Sequence, residues 1–142
     1  MESILIHAHS GLRWILLFMI LYVIFKDHSK YDEENGKKID WPLYILILFF
    51  LQIVTGFILY FMSDVVSFEP GFMKNSHLRF FTIEHLTGML AAFLIMLAGY
   101  MKSRKTLISK RNKIYRIYYV IALILILLSI PWPFRGFGNS WF

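Results

Sequence analysis

Four stretches of this chain are apolar almost without a break, and the polar residues gather between them. Read as helices, they fall at 4–25, 41–62, 77–102 and 113–132. Each holds an apolar run long enough to cross a hydrocarbon core of about 30 Å at a rise of ~1.5 Å per residue. The first connection, 26–40, mixes five acidic residues with four lysines around an Asn35-Gly36 turn, as a solvated connector does. The second, "SDVVSFEPGFMKNS" (63–76), contains Pro70-Gly71 and ends in Asn75 and Ser76, which suit the start of the third helix as caps. The third is the strongly basic "KSRKTLISKRNKIYR" (102–116). No internal repeat and no second domain is visible. The pattern predicts an all-α integral membrane protein, a single domain over 1–142 folded as an up-down-up-down four-transmembrane-helix bundle.

Composition sharpens this picture. A chain of 142 residues that is 58% hydrophobic is too apolar to fold as a soluble domain of its size. The first apolar stretch lacks the basic leader and small-residue cleavage site of a signal peptide, and is expected to stay as a mature helix. Cysteine is absent, which excludes disulfides, thiolate metal sites, iron-sulfur clusters and covalent c-type haem attachment. Of the 15 Lys and Arg residues, seven lie in 102–116 and four in 26–40, so the positive-inside rule puts both connections in the cytoplasm. The expected location is the bacterial inner (cytoplasmic) membrane, multi-pass, with both termini periplasmic. The net charge of +6 is then a topology signal and a contact for anionic lipid, with no nucleic acid partner.

On this topology His7, His9, His77 and His85 lie toward the outer side, and His28 alone is in a cytoplasmic connection. Helices one and three run the same way, and His9 and His85 each sit five residues into their apolar runs. Two imidazoles at matched depth on two such helices can clamp the iron of a planar haem from both axial positions. His7 is ~200° from His9 around a helix, so one of the two faces the bundle; His9, deeper and in line with Arg13, is the choice, with His7 as the alternative ligand. Gly88 and Ala92 follow His85 on one face and would let a macrocycle approach. Ser10 and Gly11 beside His9, with Gln52, Thr55 and Gly56 on helix two, would complete the pocket. Arg13, Arg79 and Arg135 are candidates for the propionates, since guanidinium pairs with carboxylate through two parallel hydrogen bonds. Glu84, inside a membrane helix, and His77 are candidates for a proton relay, and Glu84 could instead orient a histidine or pair with Arg79 or Arg13. Plainer roles compete: an interfacial histidine, a snorkelling arginine, small residues for helix packing.

The order of "HSGLRW" (9–14), "RFFTIEH" (79–85) and "IPWPFRGFGNSWF" (130–142) resembles the short four-helix bacterial membrane proteins labelled cytochrome b-like, over essentially the whole chain. It is more distantly similar to one half of a haem A synthase, whose four-helix units carry histidine ligands on helices one and three. The resemblance implies non-covalent haem b held by His9 and His85, and implies no substrate. In the tail, Pro131 and Pro133 should stop the fourth helix, and Trp132, Phe134, Phe137, Trp141 and Phe142 should anchor it at the interface. The expected function is therefore a membrane b-type cytochrome that passes single electrons, with a membrane quinol as donor and a periplasmic or membrane redox partner. A histidine-based copper or zinc protein, and a cofactor-free subunit of an envelope complex, are the alternatives. The lipid bilayer is an expected partner of the whole bundle.

Overall fold

The computed structural model describes residues 2–26 and 40–137. His28, the Asn35-Gly36 turn, Trp141 and Phe142 lie outside the described residues. Among the described residues four long helices make the bundle: α1 (Glu2–Phe25), α2 (Trp41–Met62), α3 (Ser76–Arg104) and α4 (Ile108–Ser129). All four are long and apolar enough to span a membrane, and the chain is a multi-pass all-α bundle. Each helix packs on two neighbours in the cyclic order α1, α2, α3, α4, so α1 and α3 face each other diagonally across the centre.

The helix ends follow from local chemistry. Asp40 caps α2 by accepting from the Leu43 amide, and Pro42 sits in the first turn, where its missing N–H costs nothing. Asn75 caps α3 through its side-chain oxygen, which accepts from the His77 and Leu78 amides. The link from α3 to α4 is short, and α4 starts at Ile108, a turn and more before its apolar run. Hydropathy reads only the apolar part of a helix, whereas the Ser109–Lys113 turn is polar and still helical. At the far end α4 stops at Ser129, three residues before the expected 132, because an extended Ile130 leads into Pro131.

Within each helix the inward face follows a heptad-like spacing. Leu16, Ile20 and Val23 of α1, Ile45, Phe49 and Gln52 of α2, Ala92, Met96 and Ser103 of α3, and Tyr115, Tyr119, Ala122 and Ile126 of α4 are buried. Apolar side chains also cover the outside: Phe18, Phe61 and Leu128 are exposed, as side chains in contact with lipid are. Between α3 and α4 the packing is closest. A Cβ on Gly99 would fall 2.4 Å from the Tyr118 Cβ, and one on Gly88 would fall 2.0 Å from the Ser129 Oγ, so glycine is what permits this approach.

The two ends of the bundle differ. At the end holding Asp40, a polar knot ties three helices together. Tyr100 donates to the Asp40 carboxylate at 2.9 Å, Arg104 reaches the same oxygen at 3.5 Å, and Tyr119 donates to the Pro42 carbonyl. At the other end the inward stripes change from aliphatic to polar, at His9 and Arg13 on α1, Gln52 on α2, His85 on α3 and Ser129 on α4.

Candidate functional site

His9 and Arg13 stand one turn apart and continue the inward stripe of Leu16 and Ile20. His85 continues the stripe of Ala92 and Met96. Because α1 and α3 are diagonal, these stripes point toward one another, and the two imidazoles meet with ring centres 6.4 Å apart and planes at 71°. Both rings line a cavity of about 270 Å³ that runs from Leu16, Phe49 and Ile126 toward Tyr60 and Ser63. Its wall is mainly apolar. Arg13 is the one charged residue among those lining it. Such a wall suits a mainly apolar ligand with a few polar groups.

Each ring is also held from behind. His9 Nδ1 lies 3.1 Å from the Thr55 hydroxyl, and His85 Nδ1 lies 2.6 Å from the Ser129 carbonyl oxygen. Gln52 donates its side-chain amide to the His9 carbonyl at 2.7 Å. Its Oε1 is buried with no hydrogen-bond partner among the described residues, at a cost of about 1–3 kcal/mol that a bound donor would recover. Gly56 backs the His9 ring so closely that a Cβ there would stand 3.1 Å from Cε1.

The α3 helix reaches His85 through a feature the hydrophobic pattern does not show. Residues Phe80–Glu84 form a π-helical turn, in which the His85 amide donates to the Phe80 carbonyl five residues back. Wide turns of this kind often mark functional positions. The turn brings together residues five apart, so Arg79 Nε bonds Glu84 Oε1 at 2.7 Å. It is braced from outside its own helix. Tyr60 of α2 donates to the Thr82 carbonyl at 3.0 Å, and the Thr82 hydroxyl receives the Ser67 amide at 3.1 Å.

The expected site residues separate into two groups. His9, Ser10, Arg13, Gln52, Gly56 and His85 line the cavity, and Thr55 touches the His9 ring. The others lie elsewhere. His7 is exposed on α1. Gly88 and Ala92 were expected to admit a macrocycle; Gly88 instead packs on Ser129, and Ala92 is fully buried away from the cavity wall. Arg79 is held by Glu84 and the Met73 carbonyl, and both partners of that ion pair are about two-fifths exposed. His77 contacts the Phe137 carbonyl through Nε2 at 3.2 Å. Arg135, expected at a propionate, is instead held at the end of α4: it donates to the Leu128 carbonyl at 2.9 Å and stacks over Phe80 and Phe137.

Sequence reasoning missed Ser129, whose contribution is its backbone. In a continuing helix the Ser129 carbonyl would accept from residue 133, and the Leu127 carbonyl from residue 131, but both are proline and have no N–H. The freed carbonyls take side-chain donors instead. Trp132 Nε1 donates to Leu127 at 2.8 Å, and Ser129 meets His85. The signal was present in "SIPWP", which reads as a stop to the helix and is also a source of unclaimed acceptors.

Among the described residues no cluster of three or more His, Asp or Glu side chains could hold a metal ion. No known protein family, curated protein or solved structure matches this chain.

Proposed function

We propose that this protein is a membrane b-type cytochrome in which His9 and His85 hold one haem b, without covalent attachment, near the outer face of the bacterial inner membrane. The observation that carries the reading is the inward-facing pair itself: two imidazoles on diagonal helices, 6.4 Å apart, lining one apolar cavity. Two imidazoles that share an ion through bonds of about 2 Å have ring centres roughly 6 Å apart. Two ligands are too few for a protein-built zinc site, which takes three or four, whereas a haem brings ring nitrogens of its own and would need only a pair such as His9 and His85 from the protein. That favours haem over the copper or zinc alternative.

The residues present fit this group in donor type and charge. His9 and His85 would hold the group through their ring nitrogens, and Arg13 would supply a cation for a propionate. The cavity, at about 270 Å³, is just under the usual range of small-molecule sites, about 300–1,000 Å³. When bound, the haem supplies reversible one-electron chemistry. The apolar wall from Leu16 to Ile126 keeps water from it, and Arg13 favours the form with the more negative net charge. A membrane quinol is the fitting electron source, reaching the cavity from the lipid side, and a periplasmic or membrane protein the acceptor. The basic 102–116 segment sits at the end opposite His9, as the positive-inside rule requires of termini that face outward.

The deciding experiment is a visible spectrum of the detergent-purified protein, oxidised and then dithionite-reduced, with pyridine haemochrome and metal analysis on the same sample. A Soret band that shifts on reduction, sharp low-spin visible bands and about one haem b per chain are expected. Protein without porphyrin after expression with ample haem would sink the proposal.

A further inference from the structure

The two histidines are gripped from behind in different ways that impose one result. Thr55 Oγ1 donates its single proton to the Gln52 carbonyl at 2.9 Å, the back-bond a threonine often makes inside a helix. A hydroxyl whose proton is spent can only accept, so the 3.1 Å contact must run from His9 Nδ1–H to Thr55. The Ser129 carbonyl can never donate, so the 2.6 Å contact runs from His85 Nδ1–H to Ser129. In a neutral imidazole a proton on Nδ1 leaves the lone pair on Nε2.

We infer that Thr55 and the Ser129 carbonyl, with Gln52 and Gly88 behind them, are positioning groups that fix both His9 and His85 as Nδ1–H tautomers and so leave Nε2 of each ring as the donor atom for a metal centre. This rests on the proposed ligand role of the pair, and it adds which nitrogen binds and what holds it there. Gln52 acts on His9 twice. Its side-chain amide holds the His9 backbone carbonyl, and its own carbonyl orients the Thr55 hydroxyl that takes the ring proton. Gly88 acts on His85 by letting α4 come in: a Cβ at position 88 would overlap the Ser129 side chain, and α4 would have to retreat with its carbonyl. Ligating histidines commonly give their second N–H to a carbonyl, hydroxyl or carboxylate, which fixes the ring and raises its basicity. An ordinary packed histidine has no need for both rings of a facing pair to be locked the same way.

The lock can be read without any haem. Full-length protein labelled with ¹⁵N-histidine, haem-free in lipid nanodiscs at a pH where the rings are neutral, reports the tautomer of each ring from its nitrogen shifts and ring-proton couplings. Both His9 and His85 should be Nδ1–H, with an unprotonated Nε2. Thr55→Val keeps the shape of the side chain and removes the acceptor, so His9 should lose its Nδ1–H signature while His85 keeps its own. Thr55→Ser should restore it. Gly88→Ala should disturb His85 and leave His9 unchanged. In haem-loaded protein, Thr55→Val should weaken retention by roughly tenfold to a hundredfold and shift the reduction midpoint, with Thr55→Ser close to wild type. A wild-type ring protonated on Nε2 would overturn the inference whether or not haem binds. So would an unchanged His9 tautomer in Thr55→Val, a variant that does not depend on helix packing. Locked tautomers in a protein that takes up no haem would support the lock and overturn the cytochrome reading instead.

Discussion

Gly88 and Ser129 touch so closely that the glycine leaves room for hydrogen alone: a Cβ at position 88 would lie 2.0 Å from the serine Oγ and 2.9 Å from its Cβ. The contact is where α3 and α4 converge at the histidine end. Gly88→Ala should therefore destabilise the bundle by about 1–3 kcal/mol, the usual cost of overpacking. The check is the thermal or denaturant midpoint of the detergent-solubilised variant beside wild type. Pairing it with Ser129→Gly, which removes the obstructing side chain, should recover most of the loss. A single variant as stable as wild type would mean that α4 moves aside at no cost.

The exposed position of His7 and the inward position of His9 lead to a graded series. His9→Ala and His85→Ala should each abolish the low-spin spectrum, and His7→Ala should leave the Soret intensity per chain unchanged. Loss of haem in His7→Ala alone would move the axial role to the other face of α1.

Gly56 tests the space rather than the ligands. An alanine methyl would press on His9 Cε1, where a Cβ has only 3.1 Å, and the ring would need to yield by a few tenths of an ångström. Gly56→Val brings more bulk to the same spot. Haem content should fall in the order wild type, Gly56→Ala, Gly56→Val, measured as the ratio of Soret to protein absorbance.

Asp40 offers the opposite control. It caps α2, and Tyr100 and Arg104 both reach its Oδ2. Asp40→Ala should lower stability by about 1–2 kcal/mol, the range for loss of a cap, while the haem spectrum and midpoint stay as in wild type. A spectral change would show that the two ends of the bundle are coupled.

The Arg79 and Glu84 pair should matter little. With both side chains about two-fifths exposed, it is worth under about 1 kcal/mol. Glu84→Gln should leave haem content unchanged; a large loss would restore the carboxylate as a participant.

The sequence carried the four spans plainly, because length and hydropathy are properties of each segment alone. It carried His9 and His85 as a pair because polar residues are costly in lipid and stand out against it. The inward faces were harder. In a soluble helix the apolar stripe marks the core, but here lipid accepts Phe18 and Phe61 as readily as the core accepts Ile20 and Phe49, so the contrast that would orient each helix is weak. That is why Gly88 could be assigned to a macrocycle when it packs on Ser129 of α4. The π turn at Phe80–Glu84 was not legible at all. It depends on outside braces, Tyr60 and Ser67, which no local periodicity encodes.

The groups behind the two histidines also differ in how easily a lineage could lose them. Thr55 holds His9 through one hydroxyl, so a single codon change removes the contact. His85 is held by a carbonyl that every amino acid at position 129 would still carry. Losing that contact takes a change in the path of the chain, at Gly88 or at Pro131 and Pro133, and such changes also cost the fold. The α1 side of the site is thus free to drift and be retuned, whereas the α3 side is inherited with the bundle itself.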